Sequence, residues 1–201
     1  ALLVTVVAGG RRWREPNHDA WATAGPELQS VLWPAPHPLA PFRMRTQYGA
    51  DFTAEQMRGQ WNFVFFGYLQ CPDVCPTTLQ TLHAFRRLLL AADPAAGRDR
   101  FIFGSVGPGR DDAKRMAAYL AYFDPHFIGL VGAPDQLAAL ARPLGVAYAE
   151  HVDVRGVRSM DHSTAVLVVD PSGRVVGALP APHDPPRMLR LFQQLQRHSG
   201  G

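Results

Sequence analysis

Apolar strand-like runs alternate with amphipathic helical stretches along this 201-residue chain, which predicts an α/β fold. Three observations carry the prediction. Asn62 to Phe66 is a short aromatic run stopped by Gly67, and Leu79, Leu82, Phe85, Leu88 and Leu89 follow it at helical spacing. Arg100 to Val106 repeats the strand signal, and Asp111 to Phe123 repeats the helical one with Met116, Leu120 and Phe123 on one face. Thr164 to Val169 is apolar on both faces, as a central strand requires.

Taken in order, Ala1 to Ala8 is an apolar run followed by Gly9, Gly10, Arg11 and Arg12. It is shorter than the about 20 residues that span a bilayer and reads as the end of an N-terminal membrane anchor over 1–10. Residues 11–40 are rich in Pro, Trp and Gly without sustained periodicity, and Leu32 to Pro38 reads as an extended arm. The folded domain is expected over 41–198. In it Phe42 to Tyr48 reads as a strand and Thr53 to Arg58 as a helical turn. Pro76 is expected to start the first core helix, because proline suits a first helical turn and disfavours helical geometry in the residue before it. Cys71 to Cys75 then forms a tight loop over the helix N-terminus, and Asp93-Pro94 with Gly97 ends the helix near Ala92.

Beyond the second strand, Gly107-Pro108-Gly109 is a loop and Asp124-Pro125 breaks the next helix. Phe127 to Val131 is a strand, and Pro134 to Leu144 is a helix with Gly145 just past its end. Val146 to Val152 and the Arg155-Gly156 turn read as a hairpin. Asp170 to Gly173 is a turn from which Arg174 to Leu179 returns as a strand, and Asp184-Pro185-Pro186 opens a last amphipathic helix to His198. With a cysteine loop between the first core strand and the first core helix, this pattern looks like a thioredoxin-type fold: a central mixed sheet flanked by helices, with a hairpin inserted before His162.

Composition narrows the function classes. Apolar residues make up 47% and charged residues 18%, enough for a full core. The net charge of +3 rests almost wholly on arginine, since Lys114 is the one lysine. The arginines are scattered, with no basic stripe and no aromatic-interleaved patch of the nucleic-acid-binding kind. Two cysteines suit a redox pair or metal ligands and do not make a disulfide scaffold.

Those two, Cys71 and Cys75, are four apart. A helix N-terminus favours anions and lowers cysteine pKa values, and a three-residue spacer lets two sulfurs share a soft metal ion or close a disulfide. A disulfide over so short a loop would remove little chain entropy, so a purely stabilising role is the weaker reading. Two sulfurs on one loop leave a soft metal two-coordinate or in need of another ligand. Of the eight histidines, His18, His37, His183 and His198 fall in tails or Pro-rich segments, His83 on a surface-leaning helix position, His126 in a turn and His151 in the hairpin. His162 differs: it stands at the entrance of the apolar central strand, where loops at one sheet edge converge. Asp161 beside it is a candidate acceptor for its other ring N–H, although an adjacent acid is often just solvated, and Met160 is a conceivable soft ligand better explained by packing.

Gly67-Tyr68, Cys71-Pro72-Asp73-Val74-Cys75-Pro76-Thr77-Thr78, and Asp161-His162-Ser163 before a strand ending Val169-Asp170-Pro171 resemble the SCO (SenC) family. Ser105-Val106, Arg110-Asp111, Tyr119, Phe123-Asp124-Pro125 and Phe127-Ile128-Gly129-Leu130 extend the resemblance over about Pro38 to Leu195. It implies a thioredoxin-fold copper chaperone with Cys71, Cys75 and His162 as ligands of Cu(I) or Cu(II), delivering copper to the binuclear copper centre of cytochrome c oxidase. It further implies a tether to the membrane by the N-terminal anchor, on the periplasmic side of the bacterial inner membrane. The chain departs from the family at Gln70, where a histidine is common, and at Gly107, Gly109 and Arg110, where acidic residues are common. The rival reading is an enzyme: a thiol–disulfide oxidoreductase in which Cys71 attacks a client disulfide and Cys75 resolves it. A three-residue spacer, and a histidine where such enzymes usually carry a cis-proline, weigh against it. A copper or redox sensor is a third reading; a peroxidase lacks the required proline-threonine-cysteine order.

Overall fold

A computed structural model of the chain describes residues 18–107, 111–152, 154, 156 and 158–199. The strand signals place β4 at Asn62–Gly67, β5 at Arg100–Ser105, β6 at Ile128–Val131, β9 at Val166–Val169 and β10 at Arg174–Leu179. Between them lie α3 (Val74–Ala92), α4 (Ala113–Phe123) and α5 (Pro134–Ala141), and α6 (Pro185–Ser199) closes the chain. Arg43–Thr46 forms β2 and Asp51–Thr53 forms β3. β7 (Tyr148–Val152) and β8 (Arg158–His162) make the inserted hairpin as a separate two-stranded sheet.

The segment before residue 41 is more structured than an arm. His18–Thr23 is helix α1 and Pro26–Gln29 is helix α2, each too short to show helical periodicity. Leu32–Pro38 is extended as expected, but as β1 it pairs with β10 and extends the sheet. Its three prolines cost no ladder bonds on the open side, because β1 is an edge strand. The expected membrane anchor over 1–10 lies outside the described residues. Among the described residues, no helix is long and apolar enough to cross a membrane.

The main sheet runs in the order β1-β10-β9-β4-β5-β6-β2-β3. β4, β5 and β6 are parallel, and β9 runs antiparallel to β4, so the sheet is mixed. Both faces of β4 and β9 are buried throughout. Phe63 stacks on Phe101 and meets Phe85 of α3 and Phe192 of α6 edge-on, which glues both helices to one face. Phe103 of β5 likewise meets Tyr119 of α4.

Two buried acids tie elements together. Asp170 accepts from Ser172 and Arg174 backbone N–H groups and from the Arg174 guanidinium, which closes the β9–β10 turn. Asp124, 2% exposed after α4, accepts from Arg86 of α3 at 3.2 Å and binds the rings of His83 and His126 at 3.1 and 2.9 Å. Burial raises its pKa, but the bonds from His126 and His83 and the Arg86 charge outweigh this and hold the carboxyl below its usual range.

Asp99 shows the opposite balance. Burial pushes it up to about 6, against the single bond it accepts from the Trp61 N–H. Its folded pKa thus lies above the unfolded value, so the protonated acid adds stability below about pH 4, and that stability is lost as pH rises through 6. A shift of this size is worth about 3 kcal/mol at full strength, reduced by partial exposure and screening to about 1 kcal/mol. Asp99→Asn, which keeps an acceptor for Trp61, should therefore unfold at higher urea than the wild type at pH 7, with the difference gone at pH 4. A less stable variant at pH 7 would refute this account of Asp99.

Candidate metal centre

The site forms where the C-terminal end of β4, the N-terminus of α3 and the end of β8 meet. Past Gly67 the chain turns, with the Cys71 N–H donating to the Tyr68 carbonyl at 3.2 Å. Helix α3 then begins at Val74 with Asp73 as its N-cap residue, two residues before the start expected from Pro76. The displacement has a physical reason: proline is tolerated anywhere in a first turn, because N–H groups there have no carbonyl to reach within the helix. Cys75 is consequently a helical residue rather than a loop residue, and its free N–H donates to the Cys71 sulfur at 3.4 Å. Cys71 sits at the rim, 9% exposed, while Cys75 is fully buried.

Gly67 makes this packing feasible. A Cβ there would stand 2.7 Å from the Cys75 Sγ and 2.8 Å from the Phe103 ring. The helix N-terminus favours thiolate, yet burial wins and pushes the Cys75 thiol up, assisted by its bond to Cys71 and the nearby Cys71 charge. Both cysteines are free thiols.

His162, the last residue of β8, pairs across the hairpin with Tyr148. Its Nδ1 lies 3.0 Å from the Ser163 carbonyl, which can only accept, so Nδ1 carries the proton and Nε2 presents a lone pair. That lone pair faces the Cys75 Sγ at 3.5 Å. The rings of Phe65 and Tyr68 wall the imidazole edge-on. Ligand atoms of Cys71, Cys75 and His162 all lie within 4.8 Å of one another, the one such group of three among the described residues. The acceptor that orients His162 is thus the Ser163 carbonyl and not the Asp161 carboxylate, which is exposed on β8. Met160 packs against the core, as expected.

Several supporting residues carry no local sequence signal. Tyr68, on the cysteine turn, meets the His162 ring edge-on, and burial with the Cys71 charge raises its pKa. Asp111 accepts from the Leu69 N–H at 3.2 Å and the Ser105 hydroxyl at 2.7 Å, anchoring the turn two residues before Cys71. The Tyr119 hydroxyl is buried without a hydrogen-bond partner. Of the departures from the family pattern, Gln70 is exposed, Gly107 lies against the Asp111 carboxylate, and Gly109 and Arg110 fall outside the described residues.

The family model described as SCO1/SenC matches residues 34–197. The chain belongs to the SCO1/SenC family. A protein of Stutzerimonas stutzeri named for copper binding is 30% identical over 167 residues, covering 82% of this chain and 80% of that protein. The mitochondrial SCO2 homolog of Mus musculus is 32% identical over 182 residues, covering 86% of this chain and 69% of its own length. Among solved structures, Bradyrhizobium japonicum ScoI with copper bound superposes with a TM-score of 0.68 at 32% identity, over 80% of this chain and 99% of that one. The fold is the thioredoxin-like fold of these SCO structures, with the mixed sheet and flanking helices expected from the sequence.

Proposed function

We propose that this chain is a copper chaperone that holds copper on Cys71, Cys75 and His162 and delivers it to the binuclear copper centre of cytochrome c oxidase. The observation that carries the reading is the convergence of three donor atoms from two distant parts of the chain within 4.8 Å. Two thiolates select the soft Cu(I) ion, and an imidazole with its Nε2 lone pair free is acceptable to both oxidation states. The copper-bound state of the similar ScoI supports copper as the cargo.

The residues suit a carrier rather than a storage cage. Burial keeps Cys75 protonated in the empty site, so binding expels protons and weakens as pH falls. Cys71 at the rim is the sulfur a recipient can reach first, and release can proceed by stepwise ligand exchange with Cys75 and His162 letting go afterwards. An anchor over 1–10 ahead of a copper domain whose sheet begins with β1 suits a tethered carrier on the periplasmic side of a bacterial inner membrane.

The test is a transfer assay. The Cu(I)-loaded protein is mixed anaerobically with an apo, reduced binuclear-copper domain, and the purple mixed-valence spectrum is read after mild oxidation. Copper appearing in the domain supports delivery. In a parallel mixture of the reduced, copper-free protein with the same domain in its disulfide form, reduction of that disulfide to two thiols with Cys71 and Cys75 oxidised to a disulfide, together with no copper moved in the first mixture, would replace delivery with the oxidoreductase reading.

A further inference from the structure

His183 gives no local signal of function, lying in a Pro-rich stretch before α6. In the folded chain its Nε2 stands 2.9 Å from the carbonyl of Thr164, two residues after His162. A carbonyl only accepts, so Nε2 carries the proton and Nδ1 is a bare lone pair, buried and without a partner. The ring therefore contributes one hydrogen bond, and that bond goes to the short link between β8 and β9.

The link Ser163 to Ala165 is the segment whose shape sets where His162 points. On one side it is tied to the hairpin, with the Ser163 N–H donating to the Ala147 carbonyl at 3.0 Å. Its next two carbonyls each receive an imidazole N–H: Ser163 from His162 at 3.0 Å and Thr164 from His183 at 2.9 Å. The two carbonyls belong to consecutive peptides that meet at the Thr164 Cα, so freeing the Thr164 carbonyl loosens the backbone beside the Ser163 carbonyl that fixes the His162 tautomer. We infer that His183 is a positioning residue: it pins the Thr164 peptide so that the His162 Nε2 is held toward the cysteine pair. This rests on the copper reading above only for its metal consequence; the effect on the His162 ring stands without metal.

The pair His183→Phe and His183→Gln tests it. Phenylalanine keeps the ring volume and drops the donor, whereas glutamine places an N–H close to where Nε2 stands. In the metal-free protein, hydrogen exchange at the Ser163 amide should quicken and the His162 ring resonances should shift for His183→Phe, with both returning toward wild type for His183→Gln. With Cu(II), His183→Phe should lose about tenfold to a hundredfold in affinity, as loss of an outer-shell partner does, and the thiolate-to-copper band should move. Should His183→Phe fail to fold, His183→Asn, too short to reach Thr164, takes its place in the same comparison. Wild-type exchange and ring signals in the donor-less variant, or a glutamine variant that behaves like it, would overturn the inference. Copper spectra of the wild type that do not depend on His162 would instead overturn the copper reading, leaving the metal-free signals to decide the role of His183.

Discussion

Cys75→Ser binds Cu(I) on the order of a hundredfold more weakly than the wild type in competition with a chromogenic Cu(I) chelator. Structural zinc sites with four ligands bind with about 10–16 kcal/mol, which sets the scale of one thiolate at about 3 kcal/mol, and a hard hydroxyl does not replace it for a soft ion. The variant should remain folded, because serine is smaller than cysteine and His162 Nε2 lies within reach of its hydroxyl. Cys71→Ser should lose a similar factor while the serine hydroxyl keeps an acceptor near the Cys75 N–H, which now donates to the Cys71 sulfur. Wild-type Cu(I) affinity in both variants would place the metal elsewhere.

Gly67→Ala should damage the site without touching a ligand. The new Cβ would sit 2.7 Å from Cys75 Sγ and 2.8 Å from the Phe103 ring, and neither neighbour is the free end of a flexible side chain. Phe103 is 1% exposed and packed against Phe65 and Tyr119, so the sulfur must move. Overpacking of this kind costs about 1–3 kcal/mol, so the urea midpoint should fall. Copper affinity should drop with it, because the Cys75 sulfur is displaced from the His162 Nε2. A variant with an unchanged midpoint and unchanged copper spectrum would show that the end of β4 is looser than this packing implies.

The central elements were legible because their signals are local. Phe63 to Phe66 is apolar on both faces, and Leu79 to Leu89 keeps a helical period, so β4 and α3 announce themselves. The sequence alone leaves the start of α3 open, because proline is tolerated at several first-turn positions and only the packed chain selects one. α1 and α2 are a turn or so long, below the length at which periodicity means anything, and β1 is a strand by virtue of β10 beside it. Among site residues, the cysteine spacing and the position of His162 before an apolar strand could be read directly. Tyr68, Asp111 and His183 could not, since each acts through a partner far off in sequence: His162 for Tyr68, Leu69 for Asp111 and Thr164 for His183. Of the two readings of Asp161, ring acceptor or solvated acid, the solvated one holds. In a strand, neighbouring side chains point to opposite faces, so an acid adjacent to His162 faces away from it.

The claim that Cys71, Cys75 and His162 form one copper site is tested by titrating the reduced protein with copper under anaerobic conditions, beside His162→Ala, and recording copper X-ray absorption on both. The wild type should bind one equivalent with two sulfurs and one imidazole nitrogen about the ion. The variant should keep the sulfurs and lose the imidazole signature. A wild-type spectrum without sulfur, or an imidazole contribution that persists in His162→Ala, would contradict the site described here.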